Sequence, residues 1–243
     1  MPPAEVAPRI GLIGAGGRMG QAIRAAAPAL VTATAGRGDD LAAIAHEVDV
    51  LIDFSRPDAL PASLAAAIGA GCALLIGTTG LSDADHDAID DAALRIAVLQ
   101  TGNTSLGITL LSALVAEAAK RLGAGWDIEI VEAHHRAKVD APSGTALLLG
   151  EAAAGARGVA LNSVRRDDPG GARPDGAIGF AAVRGGTIAG DHEVLFLGAG
   201  EQVRLAHRAE HRGIFADGAV AAARWLAGRP PGRYRMQDVL DLP

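Results

Sequence analysis

Residues 9–13, 30–35, 49–54, 73–76 and 96–99 are short apolar runs, each followed by a glycine turn or a polar break. Ala-rich segments of helical character lie between them: 21–27, stopped near Pro28, and a stretch from Ser55-Arg56-Pro57 to about Gly69. Ser82-Asp83-Ala84-Asp85 has the form of a capping box, and 106–122 reads as a longer helix. Strand and helix alternating in this way predict a parallel α/β sheet. The pattern then changes. Residues 126–131 alternate apolar and polar, 146–152 read as a helix, and 178–184, 192–197 and 201–208 are period-2 strands with short glycine turns. That second set predicts an antiparallel or mixed open sheet, before the chain returns through a helix at 215–226. The segment 161–176 is polar and rich in Gly, Pro and Arg, and is expected to be a mobile loop or lid.

Composition narrows the partners more than the fold. The chain of 243 residues can form one large domain or two modest ones, and its 49% apolar content is largely alanine, with 3% aromatics. A net charge of −6 gives no reason to expect nucleic acid or an anionic membrane as partner. Cys72 is the single cysteine and sits in an apolar context, which fits a reducing cytoplasm and burial as a small hydrophobe. The N-terminus lacks the basic and apolar regions of a secretory signal, and no run is long and apolar enough to span a membrane.

Two stretches carry chemistry. The first apolar run leads into Gly14-Ala15-Gly16-Gly17-Arg18-Met19-Gly20 and then a helix, the context in which a glycine turn cradles a dinucleotide pyrophosphate. The spacing is G-x-x-G-x-x-G, not the strict G-x-G-x-x-G. At the end of the second strand, where an NAD site normally places an acid on the ribose hydroxyls, stands Gly36 followed by Arg37. An arginine without that acid suits a 2′-phosphate, so NADPH is expected to be preferred over NADH. The alternative is that Arg37 is solvated and Asp39 or Asp40 bends back to the ribose.

The second stretch is Glu132-Ala133-His134-His135-Arg136-Ala137-Lys138-Val139-Asp140-Ala141-Pro142-Ser143-Gly144-Thr145-Ala146. Ser143 is placed to N-cap a helix, and Gly144 and Thr145 then offer backbone N–H groups at its positive end, a natural carboxylate or phosphate site. Two imidazoles and an ammonium lie just upstream. Metal ligation by His134 and His135 is disfavoured because neighbours on a strand point to opposite faces, and no Cys or spaced His completes a set.

This stretch resembles the signature E-x-H-H-x-x-K-x-D-x-P-S-G-T-A of the 4-hydroxy-tetrahydrodipicolinate (dihydrodipicolinate) reductase family, and the first glycine run matches the same family. The resemblance extends over nearly the whole chain, through Arg-Gly-Gly-x-x-x-Gly-x-His at 184–192 to Asp238-Val239-Leu240-Asp241-Leu242. It implies a Rossmann-like nucleotide domain, 1–105 with 213–243, interrupted by an α+β substrate and oligomerisation domain, 106–212, commonly joined into homotetramers. It implies a small dicarboxylate substrate reduced by NADPH or NADH. His134 would be the proton donor, since an imidazole can be charged near neutral pH with modest help, and Lys138 would polarise or protonate the imine nitrogen. His135, Gly144 and Thr145 would hold a carboxylate, with Ser143 assisting. Gly14, Ala15, Gly16, Gly17, Arg18, Met19 and Arg37 would hold the cofactor's phosphates, and Gly77, Thr78 and Thr79 its nicotinamide ribose. In Thr101-Gly102-Asn103-Thr104, Gly102 and Thr104 replace the Pro and the aromatic that the family more often has, so this part of the cofactor site is expected to be more flexible.

Two other classes fit parts of the chain. A non-catalytic nucleotide sensor would need residues 14–20 but none of His134, Lys138 or Thr145. A metal hydrolase would draw on His134, His135, Asp191 and His192.

Overall fold

Strands buried on both faces of a parallel sheet have no solvent side, so they read as unbroken apolar runs. β1 (Ile10–Ile13), β3 (Val50–Asp53) and β4 (Ala73–Ile76) are of this kind and are buried at every position. β2 (Val31–Ala35) lies at the edge, and its Val-Thr-Ala-Thr-Ala alternation follows from having one wet face. The computed structural model describes residues 7–167 and 170–242. They divide into two compact units, one up to Leu106 together with Gly213–Leu242, the other Gly107–Arg212.

The first unit is a six-stranded, all-parallel sheet. With β5 (Ala97–Gln100) and β11 (Gly232–Tyr234) added, its order is β11-β5-β4-β3-β1-β2. The chain reverses direction across the sheet between β1 and β3, so a crevice opens at the carboxyl ends of those two strands. On one face pack α1 (Arg18–Ala26), α8 (Gly213–Leu226) and α9 (Met236–Val239). On the other pack α2 (Leu41–His46), α3 (Leu60–Ala70) and α4 (Asp83–Ala93). α1 begins at Arg18, three residues before the apolar pattern starts, directly behind Gly17. Ser82 and Asp85 form the capping box that opens α4. β11, with sequence Gly-Arg-Tyr, carries no hydrophobic pattern and is a strand only because β5 offers it an edge.

The second unit is a mixed five-stranded sheet covered on one face by helices. β6 (Asp127–His134) is central, flanked by β8 (Ile178–Arg184) in parallel and β9 (Gly190–Leu197) antiparallel, with β10 (Gln202–Ala209) and β7 (Arg165–Arg166) at the edges. Ile128, Ile130, Val194 and Phe196 face α5 (Leu106–Leu122), α6 (Gly144–Ala156) and α7 (Leu161–Val164), and full burial of each such side chain stabilises by about 1.5–3 kcal/mol.

The segment 161–176 departs from the mobile loop expected of it. Its start is α7, and Arg165 and Arg166 pair with Ile178 and Gly179 as β7. Arg173 then donates to the carbonyls of Ile128 and Ala177 and pairs with Asp127 and Glu129. Arg173 thus fastens this segment to the sheet. Asp168 and Pro169 lie outside the described residues.

Gly218 of α8 lies against the Thr104 carbonyl, where a Cβ would overlap the oxygen, whereas a Cβ at exposed Gly69 in α3 meets nothing within 4 Å. Gly218→Ala should therefore destabilise by about 1–3 kcal/mol or more, and Gly69→Ala should stabilise by about 0.5–1 kcal/mol. Urea unfolding of the two variants checks this. Equal effects would mean that α8 does not approach residue 104 so closely.

Candidate active site

In the second unit the site is built at the end of β6. Glu132 and His134 are two residues apart on a strand, so their side chains share a face, and it is the covered one: 1% and 8% exposed. A carboxylate buried this deeply needs a partner for every lone pair. Glu132 has them. Oε2 accepts from His134 Nδ1 at 2.6 Å and Arg184 Nη1 at 2.7 Å, and Oε1 accepts from Arg184 Nη2 at 2.6 Å and the Ser143 N–H at 3.1 Å. Burial alone would push the Glu132 carboxyl up, but Arg184, His134 and the Ser143 N–H together hold it below the ordinary range, so it is an anion.

The same arithmetic corrects the charge expected on His134. Burial outweighs the Glu132 hydrogen bond, and Lys138 and Arg184 add repulsion, so its pKa falls below the ordinary imidazole value. In the free protein at neutral pH His134 is neutral, with Nδ1 turned towards Glu132. Lys138 Nζ pairs with Asp140 Oδ2 at 2.8 Å, and the Asp140 carbonyl accepts from Arg184 Nη2 at 2.6 Å. A continuous run of bonds thus joins Lys138 to His134.

Ser143 caps α6 as its sequence context predicts, accepting from the Ala146 N–H at 3.2 Å. Its Oγ also lies 3.1 Å from His192 Nε2, and the residue is 2% exposed. With the helix and His192 both served, the hydroxyl is engaged inside the protein. Burial, with His134 nearby, pushes the His192 pKa down to about 4, so His192 is neutral and shares one hydrogen bond with the Ser143 hydroxyl. Gly144 is exposed and Thr145 half-buried at the same helix start.

His135 points away from His134. It lines a cleft of about 540 Å³ with Arg136, Ala137, Gly186, Thr187 and Arg212. Arg212 donates to His135 Nε2 at 3.1 Å. Sequence reasoning did not place Arg212 in this cleft, because Glu210-His211-Arg212 looks like an ordinary charged return. Among the described residues no group of three or more His, Cys, Asp or Glu is placed to hold a metal ion.

In the first unit a cleft of about 770 Å³ opens at the carboxyl end of the sheet, lined by Gly14, Gly36, Arg37, Asp39, Ser55 and Arg56 among others. Three features of this unit fit a dinucleotide. No side chain caps α1, whose N-terminus follows Gly16 and Gly17. Gly14 has φ +81°, and a Cβ on it would stand 2.6 Å from the Phe54 carbonyl oxygen, so the tight turn admits only glycine. Thr78 Oγ1 is buried with no partner among the described residues. Ala15 is buried, whereas Arg18 is exposed and Met19 half-buried at the helix start.

Asp39 Oδ2 accepts the Gly36 N–H at 2.8 Å, so an acid does bend back to the end of β2, while Asp40 caps α2. Arg56 is a second guanidinium in this cleft beside Arg37, paired with Asp58 at 3.0 Å. It went unnoticed in the sequence because Arg56-Pro57 reads as a helix start. Buried Asp53 organises that turn by accepting from the Ser55 N–H and the Ser55 and Ser63 hydroxyls.

The loop at 101–104 is more tightly bonded than its glycine suggested. Thr101 Oγ1 donates to the Asn103 carbonyl and accepts its N–H, and Asn103 Oδ1 accepts from Ser105 N–H. Thr104, 2% exposed, donates to the Phe215 carbonyl at 2.6 Å, which turns its side chain into the protein and leaves its backbone in the loop. Gly102 and Thr79 are exposed, and Gly77 packs against the Phe54 ring.

Family models described as dihydrodipicolinate reductase, N-terminus and C-terminus, match residues 8–104 and 107–240. The 4-hydroxy-tetrahydrodipicolinate reductase of Zymomonas mobilis is 50% identical over 251 residues, covering 98% of this chain and 99% of the relative. That of Gluconobacter oxydans is 49% identical, covering 96% and 97%. A dipicolinate-bound dihydrodipicolinate reductase from Paenisporosarcina sp. TG-14 superimposes with TM-score 0.79 at 20% identity, covering 96% of this chain and 99% of that one, a likeness of fold.

Protonation of His192 is disfavoured in the folded state, so the unfolded chain binds the extra proton and stability falls as pH drops from about 6.5 towards 4. Its contribution to that loss approaches about 3 kcal/mol. His192→Gln, whose amide can still hydrogen-bond the Ser143 hydroxyl, should flatten the slope of unfolding free energy over this range. An unchanged slope would assign the acid sensitivity to other groups.

Proposed function

Because the chain belongs to the dihydrodipicolinate reductase family, and is a nicotinamide-dependent reductase of the diaminopimelate–lysine pathway, we propose how its residues divide the work. The substrate is the dehydrated form of 4-hydroxy-2,3,4,5-tetrahydrodipicolinate, and the product is tetrahydrodipicolinate. The observation that carries this assignment is the cationic cleft at His135, Arg136 and Arg212, in the same unit as the bonded His134 and Lys138. One carboxylate is held there, and the other at the N–H groups of Gly144 and Thr145. The nicotinamide supplies the hydride. Reduction of a conjugated imine leaves negative charge that must be protonated, and His134 and Lys138 are the proton-handling pair. A bound dianion offsets the burial that keeps His134 neutral, so the imidazolium forms with substrate in place.

Gly14, Ala15, Gly16, Gly17, Arg18 and Met19 hold the pyrophosphate at the start of α1. Gly77, Thr78, Thr79 and the backbone of 101–104 hold the nicotinamide end. NADPH is preferred, with Arg37 pairing with the 2′-phosphate and Arg56 beside it in the cleft. Use of NADH is the second reading, favoured by the Asp39 carboxylate at the end of β2, where ribose hydroxyls would lie. The protein works in the cytoplasm as a homotetramer. The sheet face opposite the helices supports the assembly, since Val131, Ala133, Ala181, Val183 and Leu195 lie there half-buried or exposed. Among the described residues no helix is long and apolar enough to cross a membrane.

Oxidation of NADPH and NADH, each with freshly generated substrate, tests the assignment. His134→Gln and Lys138→Ala should each lower kcat by about a hundred- to ten-thousand-fold with little change in cofactor KM. Near-normal turnover in either removes that residue from the mechanism.

The solvent-accessible pair at Arg37 should give NADPH about 1–2 kcal/mol of preference, roughly five- to thirtyfold. Arg37→Ala should erase it through the NADPH KM, and the preference should shrink at high salt. Equal use of both cofactors by the unmutated protein, unaffected by salt, would favour the Asp39 reading.

A further inference from the structure

Behind the groups that meet substrate lies a pair of charges with no role so far. Glu132 answers four donors from three parts of the unit: its own strand through His134, β8 through Arg184, and the start of α6 through the Ser143 N–H. Arg184 donates twice to that carboxylate and once to the Asp140 carbonyl, in the loop that also carries Lys138. The Cα of Arg184 pairs with that of His134 across β6 and β8, so strand register brings the guanidinium to the carboxylate. His134 Nε2 faces Gly190, where a Cβ would stand 3.1 Å from it, so that nitrogen is left unobstructed by a side chain.

Resting on the reductase assignment above, we propose that Glu132 and Arg184 are positioning residues. Glu132 holds His134 in the tautomer with its proton on Nδ1, leaving Nε2 to exchange the proton with substrate. Arg184 ties that carboxylate to the Lys138 loop, so the two proton-handling groups share one frame. Neither residue touches the reacting atoms. The arrangement parallels the way a carboxylate sets the tautomer and orientation of a catalytic or metal-binding histidine elsewhere.

The groups facing His134 are Glu132 on its own strand, Arg184 on β8, His192 on β9 with ring centroids 5.1 Å apart, and Lys138 with its partner Asp140 in the following loop. Charge removal from the two positioning residues acts in opposite directions. Loss of the Glu132 anion makes protonation of His134 harder, and loss of the Arg184 cation makes it easier.

The test uses ¹⁵N-histidine-labelled full-length protein, with the His134 signals assigned by their loss in His134→Gln. In the unmutated protein, neutral His134 should carry its proton on Nδ1. Glu132→Gln should move its titration to lower pH and Arg184→Met to higher pH, with Arg184→Lys in between. In turnover, Glu132→Gln and Arg184→Met should lower kcat about ten- to a hundredfold with the cofactor KM within about twofold, and Arg184→Lys should recover part of the loss. A neutral His134 protonated on Nε2 in the unmutated protein overturns the proposal, and this measurement decides even if a variant does not fold. Shifts of both titrations in the same direction also overturn it. Failure of the reductase assignment would look different: no turnover by the unmutated protein, with the tautomer and titrations still as expected.

Discussion

A carboxylate with 1% of its surface exposed can persist as an anion only if the fold supplies what water would have. Glu132 imposes that constraint on the second unit. Its four partners come from residues 134, 143 and 184, which must converge within hydrogen-bond reach or leave a charge stranded. The register of β6 against β8, the entry of α6 and the orientation of His134 are all bound to it. Removing one partner of such a buried pair typically costs 3–5 kcal/mol, enough to make the arrangement close to obligatory once the fold has formed. The consequence for chemistry is that the Glu132 and Arg184 charges offset each other, and burial holds the His134 pKa below the ordinary imidazole value.

The first unit is governed by a different constraint. A parallel sheet covered on both faces has its free backbone ends only at its edges and strand termini, so ligand chemistry collects where β1 and β3 diverge. Gly14 makes the turn, the uncapped start of α1 supplies the field, and Asp53 organises the Ser55-Arg56 corner from below. Charges of both signs line this cleft. Arg37 and Arg56 favour a phosphate, and Asp39 favours a ribose hydroxyl. On the assignment proposed above, cofactor choice would rest on a balance of exposed groups, each worth little alone.

The relatives at about half identity span nearly the full chain, and the two family models together cover almost all of it. The loop at 101–104 is held locally: Thr104 makes a buried hydrogen bond to the Phe215 carbonyl, and Gly218 lets α8 come close to the loop it supports.

What the sequence determined by itself was whatever rests on neighbours along the chain. The strand–glycine–helix start, the alternation through 126–131, the Ser143 cap and the Ser82 capping box follow from backbone periodicity and from N–H groups a few residues away. Tertiary structure decided what depends on long-range register. Arg184 reaches Glu132 across 52 residues, Arg212 reaches His135 across 77, and Thr104 reaches Phe215 across 111. The same holds for β11, a strand only beside β5, and for Arg173, whose Ile128 carbonyl and Asp127 and Glu129 carboxylates come to it only from the folded sheet. The charge of His134 belongs here too. An imidazole's proton depends on how much water it loses and which charges surround it, and neither quantity exists before the chain has folded.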